Sequence, residues 1–143
     1  MPPKQNSKKD PTHWLYRLTA EEWLASAETE LQHCADSLRR RAFRPGITHA
    51  RRAAGMAWNA VLLDTPDDRL GRSYMEHVTA LANDQHMPEE PRLAAQYLRD
   101  TPPAPPALVT LGKTAAAAAA DLAPHAAARV LVDYARERVL RTN

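Results

Sequence analysis

The chain has one cysteine, four glycines and one phenylalanine in 143 residues. With Cys34 alone, neither an intramolecular disulfide nor a multi-cysteine zinc site can form. Scarce glycine, and few valines and isoleucines beside long runs of alanine, leucine and arginine, argue against an extensive sheet and for helices. No apolar run reaches the ~18 residues that a membrane span requires, so no membrane segment is expected. The lysine-dotted amino terminus lacks an apolar core segment, so no secretory signal is expected and the location is expected to be cytoplasmic. Glycine-rich phosphate loops and the serine-nucleophile elbow are absent as well. What remains is 44% hydrophobic and 25% charged, the balance of an ordinary globular domain. A chain of this length can bury about 68% of its unfolded surface and needs no metal or disulfide staple.

The net charge of +2 is unevenly spread. Residues 1–11 (MPPKQNSKKDP) hold all of it, and residues 1–12 are expected to form a disordered basic tail ahead of one helical domain over 13–143. Within the balanced remainder, Arg39, Arg40, Arg41, Arg44, Arg51 and Arg52 fall together, and no carboxylate occurs between Asp36 and Asp64. Such a cluster attracts phosphate or an acidic partner, unless the fold brings acids from elsewhere against it. Arg39, Arg40, Arg41, Arg44, Arg51 and Arg52, with His49, are therefore the candidate nucleic-acid contacts.

Helical periodicity organises the rest. Thr19 and Glu22 have capping-box spacing, and Trp23, Ala27, Leu31, Cys34 and Leu38 then lie on one stripe, which predicts a helix over about residues 20–41. Pro45 and Gly46 are expected to make the corner. Ile47, Ala50, Ala54, Ala57 and Val61 define a second helix over about 47–63, with enough small residues to let a neighbour approach closely. Thr65, Pro66, Asp67 and Asp68 read as the start of a third helix carrying Leu70, Tyr74, Val78 and Leu81. A short fourth begins near Pro88. Residues 101–107 (TPPAPPA) predict an extended proline-rich connection, and a last helix covers about 114–141, kinked or split at Pro124. The expected fold is all-α: an antiparallel bundle of four to five helices with a proline-rich connection before the last.

The second-helix segment HARRAAGMAWNAVLL, with Ala50, Ala53, Ala54, Ala57, Ala60, Val61 and Leu62 in an alanine-rich pattern, resembles the second helix of the HEPN superfamily. GRSYMEHVTALA and DYARERVL would then correspond to that family's third and closing helices. The resemblance implies a small helical protein that dimerises and binds RNA or cleaves it without a metal, in a toxin–antitoxin or defence setting. Family members that cleave use an Arg-x(4–6)-His motif. Imidazole can exchange a proton with a ribose hydroxyl, while guanidinium stabilises charge on the phosphate.

Two such spacings occur, Arg44…His49 and Arg72…His77. A chain this rich in arginine yields about two by accident, so context must choose between them. Arg72 and His77 are the candidate catalytic pair. Five positions separate them by roughly 140° on a continuous helix, so they meet only across a break, which Gly71 could supply, or across a dimer. The competing expectation for His77 is a packed, hydrogen-bonded histidine beside Tyr74, Val78 and Leu81. No metal or other cofactor is expected, since His33 and Cys34 are adjacent and point apart, and with no metal-ligating Glu-x-x-His pair expected on the helices a di-iron carboxylate bundle is not expected either. Trp23 and Trp58 are expected in the core. The small residues of the second helix exceed what one neighbour needs, which predicts a homodimer. The alternative to RNA chemistry is a non-catalytic module for dimerisation and protein-partner binding.

Overall fold

Two of the helices begin at side chains that satisfy their first amide groups, Thr19 and Ser73. The structure, a computed structural model, describes residues 14–102 and 113–142, without the side chains of 113–122 and 142. The basic tail and most of the proline-rich connection therefore lie outside the described residues.

Helix α1 spans Ala20–Arg39, α2 Phe43–Asp64, α3 Tyr74–Asn83, α4 Glu89–Asp100 and α5 Lys113–Thr142. Short 3-10 turns occupy Trp14–Arg17 and Asp68–Leu70, and no strand occurs among the described residues. The fold is an all-α helical bundle. Thr19 caps α1 by accepting from the Glu22 amide, and the Glu22 carboxylate accepts from the Thr19 amide in return. The predicted α1 stripe of Trp23, Ala27, Leu31, Cys34 and Leu38 is buried along its whole length. At about 1.5–3 kcal/mol for each large apolar side chain, that stripe anchors the helix far better than propensity could.

The corner between α1 and α2 differs from expectation. Arg40, Arg41 and Ala42 make it, and Pro45 sits in the first turn of α2. Proline costs little there, because the first amides of a helix have no intrahelical acceptor. The Arg41 amide donates to the Leu38 carbonyl and the Ala42 amide to the Ser37 carbonyl, so α1 ends in a Schellman motif. Its left-handed position, usually a glycine, is filled by Arg41 at φ 62°. Gly46 lies against Leu38 near the corner and His49 against Glu30 further from it, so the two helices run antiparallel.

Helix α2 is the centre of the bundle. It packs against α1, α5, α3 and, more lightly, α4. Its residues from Ala53 to Leu62 are all buried. The small face that predicted a second copy is thus covered within the chain, chiefly by α1 and α5. Gly55 is required where α3 crosses: a Cβ there would overlap the Tyr74 side chain.

The start of α3 is also displaced. Thr65 closes α2 instead of opening a helix, its hydroxyl donating back to the Val61 carbonyl. Asp67 caps only the short turn through Leu70, and Gly71, at φ 69°, breaks the chain direction. A second capping box, Ser73 with Glu76, then starts α3. Pro124 does not split α5, which runs through it as one helix. Glu28 of α1 ties α5 down, accepting both Nη groups of Arg129 (2.8 and 3.0 Å) and Nη2 of Arg136 (2.7 Å). These hydrogen bonds, Arg129 first, hold the Glu28 carboxyl below the usual carboxylate range. No helix among the described residues is long and apolar enough to cross a membrane.

Candidate functional site

The break at Gly71 does not unite Arg72 with His77. Arg72 is exposed, its amide donating to the Glu76 carboxylate at 2.7 Å, and it borders a shallow cleft with Trp14, Leu15 and Asp67. His77 is 0% exposed. Its Nδ1 donates to the Leu70 carbonyl at 2.6 Å, and its Nε2 meets the Asn59 side-chain amide at 2.8 Å. Burial pushes the imidazole pKa below its ordinary value, against a smaller opposing effect of the Leu70 carbonyl. A neutral ring with a proton on Nδ1 needs a donor at Nε2. The Asn59 NH2 supplies it after a half-turn of the amide, an orientation that also employs Nδ2, which otherwise has no partner. His77 thus joins α2, the Asp68–Leu70 turn and α3, and in this arrangement neither nitrogen reaches solvent.

The other arginine–histidine spacing lies at the surface. Arg40, Arg41 and Arg44 are exposed around the α1–α2 corner, and Arg39, also exposed, pairs with Asp36 at 2.7 Å. Among the described residues neither Arg40 nor Arg44 has an ion-pair partner. Arg41 lies over the Phe43 ring, 5.7 Å from its centroid. Arg51 is employed otherwise. Its Nε donates to the Leu98 carbonyl (2.8 Å) and its Nη2 to the Thr101 carbonyl (2.9 Å), closing the carboxyl end of α4. Burial lowers its pKa from the usual arginine value.

Arg52 and His49 face a carboxylate from the neighbouring helix. Glu30, on α1 and only 8% exposed, accepts from His49 Nδ1 at 2.7 Å and lies 3.3 Å from Arg52 Nε. His33, one turn further along α1, brings its ring to 5.2 Å from the His49 ring, edge to face. Glu30 and His33 form a Glu-x-x-His pair, so the expectation of no metal-ligating pair on the helices is corrected. The spacing was a visible signal, but His49 joins it only through the fold.

The remaining candidates are structural. Cys34 is fully buried, which pushes its thiol up to about 12 and leaves it unreactive. Trp23 Nε1 donates to the Leu15 carbonyl at 3.0 Å and so pins the first 3-10 turn to α1. Trp58 is 1% exposed, with Arg138 over its ring at 5.4 Å.

No family model, no curated protein and no solved structure matches the chain.

Proposed function

We propose that this chain is a HEPN-like, cytoplasmic, RNA-binding module that grips phosphate at the α1–α2 corner and does not cleave through Arg72 and His77. The observation that carries the reading is the exposure of Arg40 and Arg44 at one corner with no carboxylate paired to either among the described residues. Arg39, paired with Asp36, and Arg41, over the Phe43 ring, lie beside them. The Arg44…His49 spacing lies in the first turns of α2, beside this corner, and the resemblance to HEPN proteins supplies RNA as the polyanion and a toxin–antitoxin or defence setting. Against cleavage by the other pair stands the enclosed ring of His77, which no ribose hydroxyl can approach without opening the Asn59 and Leu70 contacts.

Fluorescence anisotropy with a labelled single-stranded RNA, followed by electrophoresis of the same samples, tests both halves. Binding with no cleavage, weakened at least about tenfold in Arg40→Ala/Arg44→Ala, is the expected result, since each phosphate contact adds to affinity. Cleavage by the parent chain that is lost in both Arg72→Ala and His77→Ala, with the fold retained, would overturn it.

The second reading, a module that pairs with itself or with another protein, rests on Leu140 and Leu93, large apolar side chains left 67% and 48% exposed. Among the described residues a homodimer would use such surface, because the alanine face of α2 is already covered. Light scattering at micromolar concentration separates a 15.9 kDa monomer from a pair.

A further inference from the structure

We infer that Glu30, His33 and His49 form a binding site for a divalent first-row transition ion, with Zn2+ as the representative occupant. This inference is independent of the RNA reading. Three observations meet here. Glu30 and His33 stand at i and i+3 on α1, so both side chains leave the same helix face. Helix α2 runs back past that face and delivers His49, whose Nδ1 is already 2.7 Å from the Glu30 carboxylate. One ligand atom from each residue falls within 4.8 Å of the other two.

The dimensions decide whether an ion fits. Bonds of about 2.0–2.2 Å from nitrogen and oxygen ligands put tetrahedral ligand atoms about 3.4 Å apart. A pair at the 4.8 Å limit needs to close by only about 1.4 Å, and His49 Nδ1 and Glu30, now 2.7 Å apart, need to open by about 0.7 Å; His33, exposed at the surface, is the member free to rotate. Glu30 is buried and held by the helix, so it forms the fixed end of the site. Two imidazoles and one carboxylate suit Zn2+ and its neighbours and do not suit Ca2+ or Mg2+, which require oxygen ligands. Three protein ligands leave a coordination position for water or an anion. The Cys34 thiol takes no part, since it is buried in the core stripe.

The arginine partner of Glu30 is Arg52, whose Nε lies 3.3 Å from Oε1 and whose side chain is 46% exposed. An incoming dication must displace this guanidinium, and a half-exposed arginine can swing outward at modest cost. Arg52 therefore competes with the metal, which gives the inference a signature that a simple ion-pair cluster lacks.

The test is Zn2+ binding to the full chain, measured by competition with a chromophoric chelator, with circular dichroism on every variant. One ion per chain at about micromolar free Zn2+ is expected. His33→Ala, a change at an exposed position, should weaken binding more than about tenfold, at least the scale of losing an outer-shell partner. Arg52→Gln should tighten binding several-fold. Co2+ added to the parent chain should give a visible absorption that His33→Ala and His49→Ala both remove. No binding in the parent below about 100 µM Zn2+, or an affinity that His33→Ala leaves unchanged, would overturn the inference.

Discussion

His49 and His77 each follow an arginine by five residues, and the fold puts them to opposite uses. His77 lies at the junction of three elements with both nitrogens engaged and 0% of its surface exposed. His49 lies half-buried at the rim of the α1–α2 hairpin, where a carboxylate, a second histidine and Arg52 gather. Their own spacing to arginine does not separate them. What separates them is the neighbour each helix supplies: a core asparagine from α2 for His77, a rim carboxylate from α1 for His49. A motif of two residues therefore says little until the helix faces are known.

The largest effect should come from the buried member. His77→Ala should cost about 2–4 kcal/mol in denaturant unfolding, because it opens a cavity and strands the Leu70 carbonyl and Asn59 amide. Arg72→Ala should change stability by less than about 0.5 kcal/mol. The pH dependence has a definite sign. Burial lowers the folded-state pKa of His77 from 6.5, so the unfolded chain takes up a proton first as pH falls. The contribution of His77 is whole above about 6.5 and declines below it. The acid slope should therefore be shallower in His77→Gln than in the parent, and equal slopes would break the contrast.

Arginines divide in the same way. Arg51→Ala should lose about 1–3 kcal/mol, since it leaves the Leu98 and Thr101 carbonyls without their charged donor. Arg44→Ala, at the exposed corner, should stay within about 0.5 kcal/mol of the parent. Thermal melts of the two variants side by side make the comparison. A smaller effect of opposite sign is expected at Arg41, which occupies the left-handed position of the Schellman motif at φ 62°. Arg41→Gly should raise stability by about 1 kcal/mol while weakening RNA binding, a trade between fold and surface.

Much of the fold was legible in the sequence, and the reason is physical. The stripes on α1 and α2 repeat at helical spacing with large or small apolar residues throughout, and Thr19 with Glu22 marks the first start. The corner was misplaced because Pro45 and Gly46 look like a breaker, although proline is tolerated in a first turn. The chain turns instead on Arg41, whose identity does not advertise a left-handed backbone. Ser73 and Glu76 carried the true start of α3, but the acids after Pro66 outshone them. At the candidate site, the arginines were visible as a cluster, yet the diversion of Arg51 to α4 depends on contacts about fifty residues away in sequence. The gathering of Glu30, His33 and His49 needed the antiparallel register of two helices, of which only the Glu-x-x-His spacing was written locally.

The central claim is that the exposed corner, and not the buried pair, meets nucleic acid. Its most direct test is the salt dependence of RNA binding by the parent chain and by Arg40→Ala/Arg44→Ala. Each phosphate contact contributes about −0.7 to the slope of log affinity against log salt on a single strand, so the double variant should flatten the slope by about 1.4. Equal slopes in the two proteins, or a parent affinity that does not fall with salt, would contradict the account.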